Sequence, residues 1–341
     1  MKDLKTICSE NITALTVLIF AVIFPIFNSA YKVDQFTGFY IACLLSFSII
    51  LIWGYTGIFS FGQAAFYGIG AYTYAIISLS SDKNLTIVAA VIGTAIAGGF
   101  ALILGYFMFY GGVNEIFTGI ITLCISIVCE TFIVQTSGPE WKILGVWIGG
   151  YNGLNNIPKL QIGNFILTQN ELYFAVIGIV FLIYFLFRRL THSNLGYALF
   201  GIRESKQRSE LFGYKTAKIQ TLAFGVSGAL AGLGGVLFSA WSGYVVPSTL
   251  SVGNSTVAVV MVALAGRKNV TGALVMTVAY SYFTHELAAS GSVYSNVILG
   301  ILLVLIVMFM PEGALVGLFD KIDGLSGKIA SKKRKTVQRG K

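Results

Sequence analysis

Charged side chains are absent from two long stretches of this sequence, residues 35–81 and 219–266. A charged group at the centre of a bilayer costs about 2.5–3.5 kcal/mol even on the most lenient insertion scales, so membrane-spanning segments contain few of them. A soluble helix of such length would need a solvated polar face, and neither stretch provides one. The missing charge therefore indicates an integral membrane protein.

Motifs of catalysis and nucleotide binding are also missing. The sequence contains no H-E-x-x-H, no G-x-S-x-G and no Walker A pattern G-x-x-x-x-G-K-[ST], so no metalloprotease, α/β-hydrolase or P-loop ATPase is indicated. Its 4 cysteines show no C-x-x-C spacing, which predicts inert thiols rather than a metal site. If this chain takes part in ATP-driven transport, the nucleotide must bind to another polypeptide.

Apolar sequence is abundant instead: 56% of the residues are hydrophobic and the mean hydropathy is +0.80. A hydrocarbon core about 30 Å thick takes roughly 20 apolar residues per helix. The alternating pattern of outer-membrane strands is absent, so we predict an all-α integral membrane protein with about ten transmembrane helices. The apolar runs are 12–30, 36–53, 57–80, 86–109, 115–135, 171–187, 219–240, 254–266, 271–289 and 293–310.

Basic residues concentrate in two regions between or after the apolar runs. Lys and Arg recur through the connection 188–218, and again through the segment 311–341, which includes Lys332–Lys335. The positive-inside rule places both regions in the cytoplasm, and with ten crossings the N-terminus lies there too. We therefore predict a transmembrane domain over 1–310 and a basic cytoplasmic tail. The net charge of +9 then reflects topology and attraction to anionic lipid rather than nucleic-acid binding.

Glycine and polar residues interrupt the third run. Small residues are dense in Gly54–Gly57 and Ser60–Tyr72, and Gln63 lies among them. Glycine allows a transmembrane helix to break where neighbouring protein or a water-filled cavity satisfies the freed backbone groups. Two interpretations follow: close helix packing alone, or a discontinuous helix that lines a solute pathway through Gln63, Phe66 and Tyr67.

The second half of the chain has a comparable feature. The seventh run contains a cluster of glycines between Gly225 and Gly235, and a short polar segment, Gly253–Thr256, opens the eighth. Interrupted segments at corresponding positions of two halves point to an internal repeat with a solute site near the membrane midplane. Asn254 and Thr256 are therefore further candidate pathway residues.

Few ionisable residues fall inside the apolar runs. Glu130 lies in the fifth run, and His285 and Glu286 lie near the outer end of the ninth. Proton relays use such groups, so a proton-coupled secondary carrier is one alternative, and a carboxyl bonded to a neighbouring helix is the structural one. A channel-like or purely structural membrane protein is another.

The connection between the sixth and seventh runs predicts a short amphipathic helix within 195–214. Ile202, Leu211 and Phe212 fall on its apolar side, charged residues lie between them, and Gly213 stands at a C-cap position. Such a helix can lie in the membrane interface or insert into a groove of a soluble partner. The residues alone leave both possibilities open.

Several segments together resemble one family. Residues 54–72, 149–158, 195–213, 218–224, 227–235 and 310–313 are similar to the permease subunits of ABC importers for branched-chain amino acids, the LivH/LivM type. The outer loop 136–170, with its Gly-Gly-x-Asn-Gly-Leu element, fits the LivM-like branch.

The sequence departs from that family pattern at two places. Family members carry Arg-Gly before a Tyr-Phe-Ala-Ile-x-Thr-Leu segment where this chain has Gly111–Leu123, and a Gly-Gly pair where it has Ala265–Lys268. The first departure falls on a run that could line the pathway. Urea and short-chain amide permeases of the same superfamily are therefore an alternative to branched-chain amino acid permeases.

The resemblance implies a fold, partners and residue roles. We expect the fold of a type II-like ABC importer permease in the plasma (bacterial inner) membrane, with no cofactor in this chain. The expected partners are a second, LivH-like permease subunit, two ABC ATPase subunits that carry ATP and Mg²⁺, an extracytoplasmic solute-binding protein and membrane lipid. The residues expected to couple this chain to the ATPases are Arg203, Glu204, Glu210, Leu211, Phe212 and Gly213.

The same resemblance assigns the outer side of the chain. The solute-binding protein is expected to dock on the outer loops, chiefly 136–170 and 241–253. Asn152 and Gly153 would shape an outer gate there, or would form a plain glycine–asparagine turn.

Overall fold

The computed structural model describes residues 4–80, 85–138, 140–163, 165–191, 193–267, 269–290 and 300, with side chains from Thr16 onward apart from that of Ile162. Three sequence-based predictions lie outside the described residues: the last apolar run at 293–310 apart from residue 300, the family-like segment 310–313 and the basic tail at 311–341.

Eleven α-helices make up most of the described part of the chain, because the apolar runs satisfy their backbone groups internally. Their bounds are α1 (Leu4–Phe27), α2 (Ala30–Ile49), α3 (Gln63–Ser80), α4 (Thr86–Tyr110), α5 (Glu115–Gln135), α6 (Gln169–Thr191), α7 (Asn194–Glu204), α8 (Lys206–Leu211), α9 (Thr216–Ser242), α10 (Val252–Ala265) and α11 (Val270–Ala289). All except α7 and α8 fall on apolar runs of the sequence.

Several of these helices are long and apolar enough to cross a membrane. They are Ala30–Thr56, Thr86–Tyr110, Glu115–Gln135, Gln169–Thr191 and Thr216–Ser242. The short eighth run forms α10, a helix of 14 residues. The chain is therefore a multi-pass, mostly helical membrane protein, as the sequence predicts.

Contacts between connections show which helix ends lie together. Thr86 at the start of α4 exchanges two hydrogen bonds with the backbone of Gln161, at 2.9 and 3.1 Å. At the other end of the bundle, Arg203 of α7 donates a hydrogen bond to the carbonyl of Gly54. We call the end formed by α7, α8 and the turn at Arg267 the basic end, and the opposite end the strand end. The connections predicted to be inner lie at the basic end, and the loops predicted to be outer lie at the strand end.

The strand end carries short strands that the sequence analysis does not predict. They are β1 (Lys142–Ile143), β2 (Val146–Trp147), β3 (Leu154–Asn155), β4 (Gln161–Ile162), β5 (Phe165–Ile166) and β6 (Tyr244–Val245). All pairs are antiparallel: β1 with β2, β4 with β5, and β3 with β6. Because β6 follows α9, its pairing with β3 joins the two predicted outer loops into one surface.

The core lies around α9, which packs against α2, α3 and α4. A Cβ atom added at Gly232 would clash with Ala97 of α4, and one at Gly235 would clash with the carbonyl oxygen of Tyr67 of α3. Small residues let helix backbones approach this closely. The predicted interruption of the seventh run is therefore wrong: α9 is continuous, and its glycines serve close packing.

The chain does break between α2 and α3. A π-helix, Ile50–Thr56, continues α2 and ends at Gly57, whose φ of +81° is the left-handed conformation that glycine adopts readily. Residues 57–62, which we call the break, are not helical, and α3 begins only at Gln63. The predicted discontinuity is confirmed, although the third run starts as non-helical chain rather than as helix. π-Helical turns of this kind are frequent at functional sites.

Candidate functional site

Side chains of two other helices satisfy the backbone of the break. Phe61 donates its N–H to Thr122 Oγ1 of α5 at 3.1 Å. The Phe61 carbonyl accepts hydrogen bonds from Ser126 of α5 at 3.0 Å and from Ser255 of α10 at 2.5 Å. Ser255 also accepts a hydrogen bond from the N–H of Ala64 at 3.0 Å. Since an unpaired buried backbone group costs about 1–3 kcal/mol, these hydroxyls are what allows non-helical chain inside the bundle.

A cavity of about 360 Å³ lies beside the break, where it faces the start of α5. The break contributes Gly57, Phe59 and Phe61 to its lining. From α5 come the apolar residues Ile116, Gly119, Ile120 and Leu123, together with the carboxyl-bearing Glu115. Ile116 and Ile120 are more than half exposed in this chain, so the cavity opens on the free side of α5.

Gln63, predicted to line the pathway, is fully buried at the start of α3. Its Oε1 accepts hydrogen bonds from Ser48 of α2 at 3.2 Å and from Ser227 of α9 at 3.3 Å. Its Nε2 has no hydrogen-bond partner among the described residues. Gln63 is thus part of a polar cluster between α2, α3 and α9, and it is not in the lining of the cavity.

Phe66 and Tyr67, which are also predicted pathway residues, are both buried in helix packing. The ring of Phe66 lies 5.5 Å from that of Phe224 of α9 and 6.1 Å from that of Phe100 of α4. The ring of Tyr67 lies 5.8 Å from that of Phe238 of α9. This side of α3 faces the core, so the aromatic residues fill space that α9 and α4 enclose.

Asn254 and Thr256 lie on the exposed side of α10 and do not meet Gln63. The Asn254 amide donates to the carbonyls of Ser248 and Thr249 at 3.0 and 3.3 Å, and the Thr256 hydroxyl donates to Val252 at 2.9 Å. The residue between them, Ser255, is the one that faces the break. The structure therefore separates the five predicted pathway residues into a buried polar group, a core pair and an exposed pair.

The predicted amphipathic helix at the basic end is two helices, α7 and α8. The chain turns at Ser205, whose hydroxyl caps α8 by accepting a hydrogen bond from the N–H of Arg208. As a result Ile202 is 1% exposed and faces the bundle, whereas Leu211 and Phe212 are 87% and 82% exposed. The prediction that these three residues share one apolar side is wrong.

The remaining residues predicted to couple the chain to an ATPase anchor α7 and α8 to the bundle or remain exposed. Arg203 donates a hydrogen bond to the Gly54 carbonyl at 2.6 Å; burial lowers the pKa of its guanidinium, Glu204 raises it and Arg267 lowers it. Glu210 accepts a hydrogen bond from Thr216 of α9 at 2.5 Å. Glu204 is exposed. Gly213 has a φ of +85° just past the end of α8, as its predicted C-cap role requires.

A row of aromatic rings connects the basic end to the cavity, and the sequence analysis misses it. The guanidinium of Arg267 lies 4.8 Å from the Trp53 ring centroid. The Trp53 ring lies 5.1 Å from that of Phe59, which lies 4.8 Å from that of Phe61. Both phenylalanines line the cavity. A displacement of the turn at Arg267 would therefore reach the cavity wall through direct contacts.

At the strand end, the geometry favours the turn interpretation of Asn152 and Gly153. Asn152 is exposed and its N–H bonds to the carbonyl of Gly149 at 3.2 Å. Gly153 is buried with a φ of +68°, and a Cβ atom there would clash with the carbonyl of Val245 in β6. Gly153 thus allows β3 to pair with β6, and of these two residues Asn152 is the exposed one.

The ionisable residues considered for a proton relay lie in different places. Glu130 is half-buried on α5. His285 is half-buried at the strand end, where a ring nitrogen lies 2.9 Å from the Gln35 amide nitrogen, and Glu286 is exposed. Among the described residues, no three His, Cys, Asp or Glu side chains form a group that could hold a metal ion.

Comparisons with known proteins identify relatives over most of the chain. Residues 33–307 match the family model described as branched-chain amino acid transport system / permease component. The high-affinity branched-chain amino acid transport system permease proteins LivM of Salmonella typhimurium and Escherichia coli are each 25% identical to this chain over 331 residues, which cover 90% of the chain and 75% of each relative. No solved structure matches the chain.

Proposed function

The chain belongs to the family of permease components of branched-chain amino acid transport systems, and we propose that it is one of two membrane subunits of an ATP-driven importer for branched-chain amino acids. The family match over 33–307 and the two LivM relatives support this substrate class. A permease component is a transport subunit rather than an enzyme, and ATP hydrolysis is assigned here to separate subunits.

The partners follow from this assignment. This chain pairs with a second, related permease subunit, binds two ATPase subunits that carry ATP and Mg²⁺, and receives its solute from an extracytoplasmic binding protein. The basic end faces the cytoplasm of a bacterial cell, because it collects most of the Lys and Arg of the inner connections. The strand end, with exposed Trp147, Tyr151 and Asn152, faces the binding protein.

One observation carries the coupling proposal: Leu211 and Phe212 at the tip of α8 are 87% and 82% exposed. They stand between Arg208 and Lys215, which are exposed as well. Two large apolar side chains in a cationic surrounding are costly to leave in water and suit insertion into an apolar groove with an acidic rim. We assign that groove to the ATPase subunit.

Hydrogen bonds join α7 and α8 to the rest of the bundle and would transmit the movement of the ATPases. α8 is joined to α9 through the Glu210–Thr216 hydrogen bond, and α7 is joined to the π-helix through Arg203 and Gly54. Gly54 leaves no space for a side chain, since a Cβ atom there would clash with the carbonyl of Arg267. When the ATPases close, α7 and α8 therefore displace the π-helix and the break together, and the bundle changes between its outward-open and inward-open states.

The docking tip is tested by replacing both of its apolar residues. Leu211→Ser with Phe212→Ser is expected to reduce co-purification of the ATPase subunits at least fivefold and to abolish leucine uptake, because the inserted apolar surface is lost. The matched control is Leu195→Ser with Tyr197→Ser, a pair that is 60% and 63% exposed at the start of α7; it is expected to retain the ATPases. Gel filtration checks that both variants fold, and unchanged ATPase recovery in the tip variant would refute the docking proposal.

A further inference from the structure

We infer that the cavity between the break and α5 is a subsite for the aliphatic side chain of the transported amino acid, with Glu115 as the partner of its ammonium group. This inference rests on the proposed function and names residues that would contact the solute. These residues differ from the predicted pathway residues Phe66 and Tyr67, because Phe66 and Tyr67 are enclosed by the core whereas the residues named here line open space.

The size and chemistry of the cavity fit such a solute. Its volume is about 360 Å³, whereas a buried apolar cavity of about 150 Å³ already binds benzene. Phe59, Phe61, Ile120 and Leu123 form apolar walls, and Glu115, which bears a carboxyl group, is among the lining residues. Small-molecule sites are typically apolar with a few polar groups that fix orientation. An exposed ion pair adds little affinity, so Glu115 would hold the ammonium group of the solute weakly enough for release.

The glycine at position 119 is not explained by helix packing. A Cβ atom there would lie 3.5 Å from the Phe59 carbonyl oxygen and 3.8 Å from a carbon of its ring, which are ordinary contact distances. Gly235, by contrast, has no room for a Cβ atom at all. Because a side chain at position 119 would fit sterically and would occupy the cavity, the glycine keeps that space open.

The wall opposite α5 is connected to the part of the chain that would receive work from ATP hydrolysis. Phe59 and Phe61 belong to the aromatic row that ends at Arg267 of the basic end. The backbone of Phe61 is held by α5 and α10 at once. A solute in the cavity would thus contact the segment that moves when the ATPases close, as a pathway site requires.

Filling the cavity is the direct test, in the complete transporter with its binding protein in proteoliposomes. Gly119→Leu is expected to lower leucine uptake at least tenfold and to raise the valine-to-leucine uptake ratio at least fivefold. One methylene in an apolar pocket changes discrimination about 10- to 200-fold, and valine is smaller than leucine by one methylene. The matched control is Gly99→Leu on α4, where nothing lies within 4 Å of the added Cβ atom, and it is expected to leave the ratio unchanged.

Two further measurements keep the inference testable if Gly119→Leu fails to fold. In an Ile120→Cys variant, leucine is expected to slow modification of the introduced thiol by N-ethylmaleimide at least threefold, as measured by mass spectrometry. Glu115→Gln is expected to raise KM for leucine and valine equally, about threefold, because both carry the same ammonium group.

The outcomes separate the subsite from the proposed function. If the wild-type transporter takes up no branched-chain amino acid, the proposed function is wrong. If uptake is present but Gly119→Leu leaves the ratio unchanged, the subsite is wrong. The subsite is also wrong if N-ethylmaleimide modifies the thiol of the Ile120→Cys variant at the same rate with and without leucine. That result is expected if lipid or the partner chain fills the cavity. An unchanged KM in Glu115→Gln would remove the ammonium assignment.

Discussion

Two helices that are both long and apolar enough to cross a membrane, α9 and α5, use small residues in opposite ways. The most apolar part of α9 is 67% buried and that of α5 only 22%. Cβ atoms added at the glycines of α9 would mostly clash with residues of α3 and α4, so these glycines stabilise the core by allowing close packing. The buried side of α5 consists of Thr118, Gly119, Thr122 and Ser126, and its hydroxyls hold the break. Small residues alone thus indicate packing, whereas small residues with regularly spaced hydroxyls indicate support for irregular chain.

The largest effect is expected on the α9 side of this comparison. Gly235→Val would force the new side chain into the carbonyl of Tyr67, and overpacking against a backbone that cannot move aside costs about 1–3 kcal/mol or more. We expect loss of the folded protein, measured as the disappearance of the monodisperse peak in fluorescence-detected gel filtration.

A glycine in an open position provides the control for this prediction. Gly99 of α4 has nothing within 4 Å of an added Cβ atom, so Gly99→Val is expected to keep the peak and the thermal midpoint. If both variants behaved alike, Gly235 would not be needed for the close approach of α9 and α3.

A middle-sized effect is expected at Thr122, whose hydroxyl accepts the N–H of Phe61 and also donates to the carbonyls of Thr118 and Gly119 in its own helix, at 2.9 and 3.0 Å. Thr122→Val keeps the side-chain volume but leaves the N–H of Phe61 without the partner that holds it at 3.1 Å. We expect the free energy of unfolding in detergent to fall by about 1–3 kcal/mol, with a larger proportional loss of uptake because Phe61 lines the cavity.

The matched threonine for this experiment is on α4. Thr94 donates only to the carbonyl of Ala90 in its own helix, at 2.9 Å. Thr94→Val is expected to change the free energy of unfolding by less than about 0.5 kcal/mol. A similar loss in both variants would show that α5 supports the break through packing rather than through this hydrogen bond.

Long-range apolar pattern and charge placement predict most of this fold, because the bilayer imposes both on the sequence. The bounds of α5 and the short length of α10 agree with the apolar runs, and Gly213 ends α8 as its position suggests. The break is predicted from its glycines, since few other residues adopt the conformation of Gly57.

The site is less predictable, because it depends on which side of each helix faces a neighbour. Phe66 and Tyr67 follow the break directly, yet the rotation of α3 turns them into the core. The cavity residues Phe59 and Ile120 lie far apart in sequence, and they line the same cavity where Thr122 and Ser126 bond α5 to the break. The one available sequence signal is the spacing of hydroxyls in α5, which places them on one side of a helix.

The smallest effect is expected where the break has two donors for one acceptor. The Phe61 carbonyl accepts from Ser126 at 3.0 Å and from Ser255 at 2.5 Å, so Ser126→Ala leaves it with one hydrogen bond. The expected loss in the free energy of unfolding is about 0.5–1.5 kcal/mol, which is less than for Thr122→Val. The double variant Ser126→Ala with Ser255→Ala should lose more than the sum of the two single variants, because the carbonyl is then unpaired. Additive losses in chemical denaturation would contradict this reasoning, since they would mean that each hydroxyl acts through its own helix and that the break does not depend on α5 and α10 together.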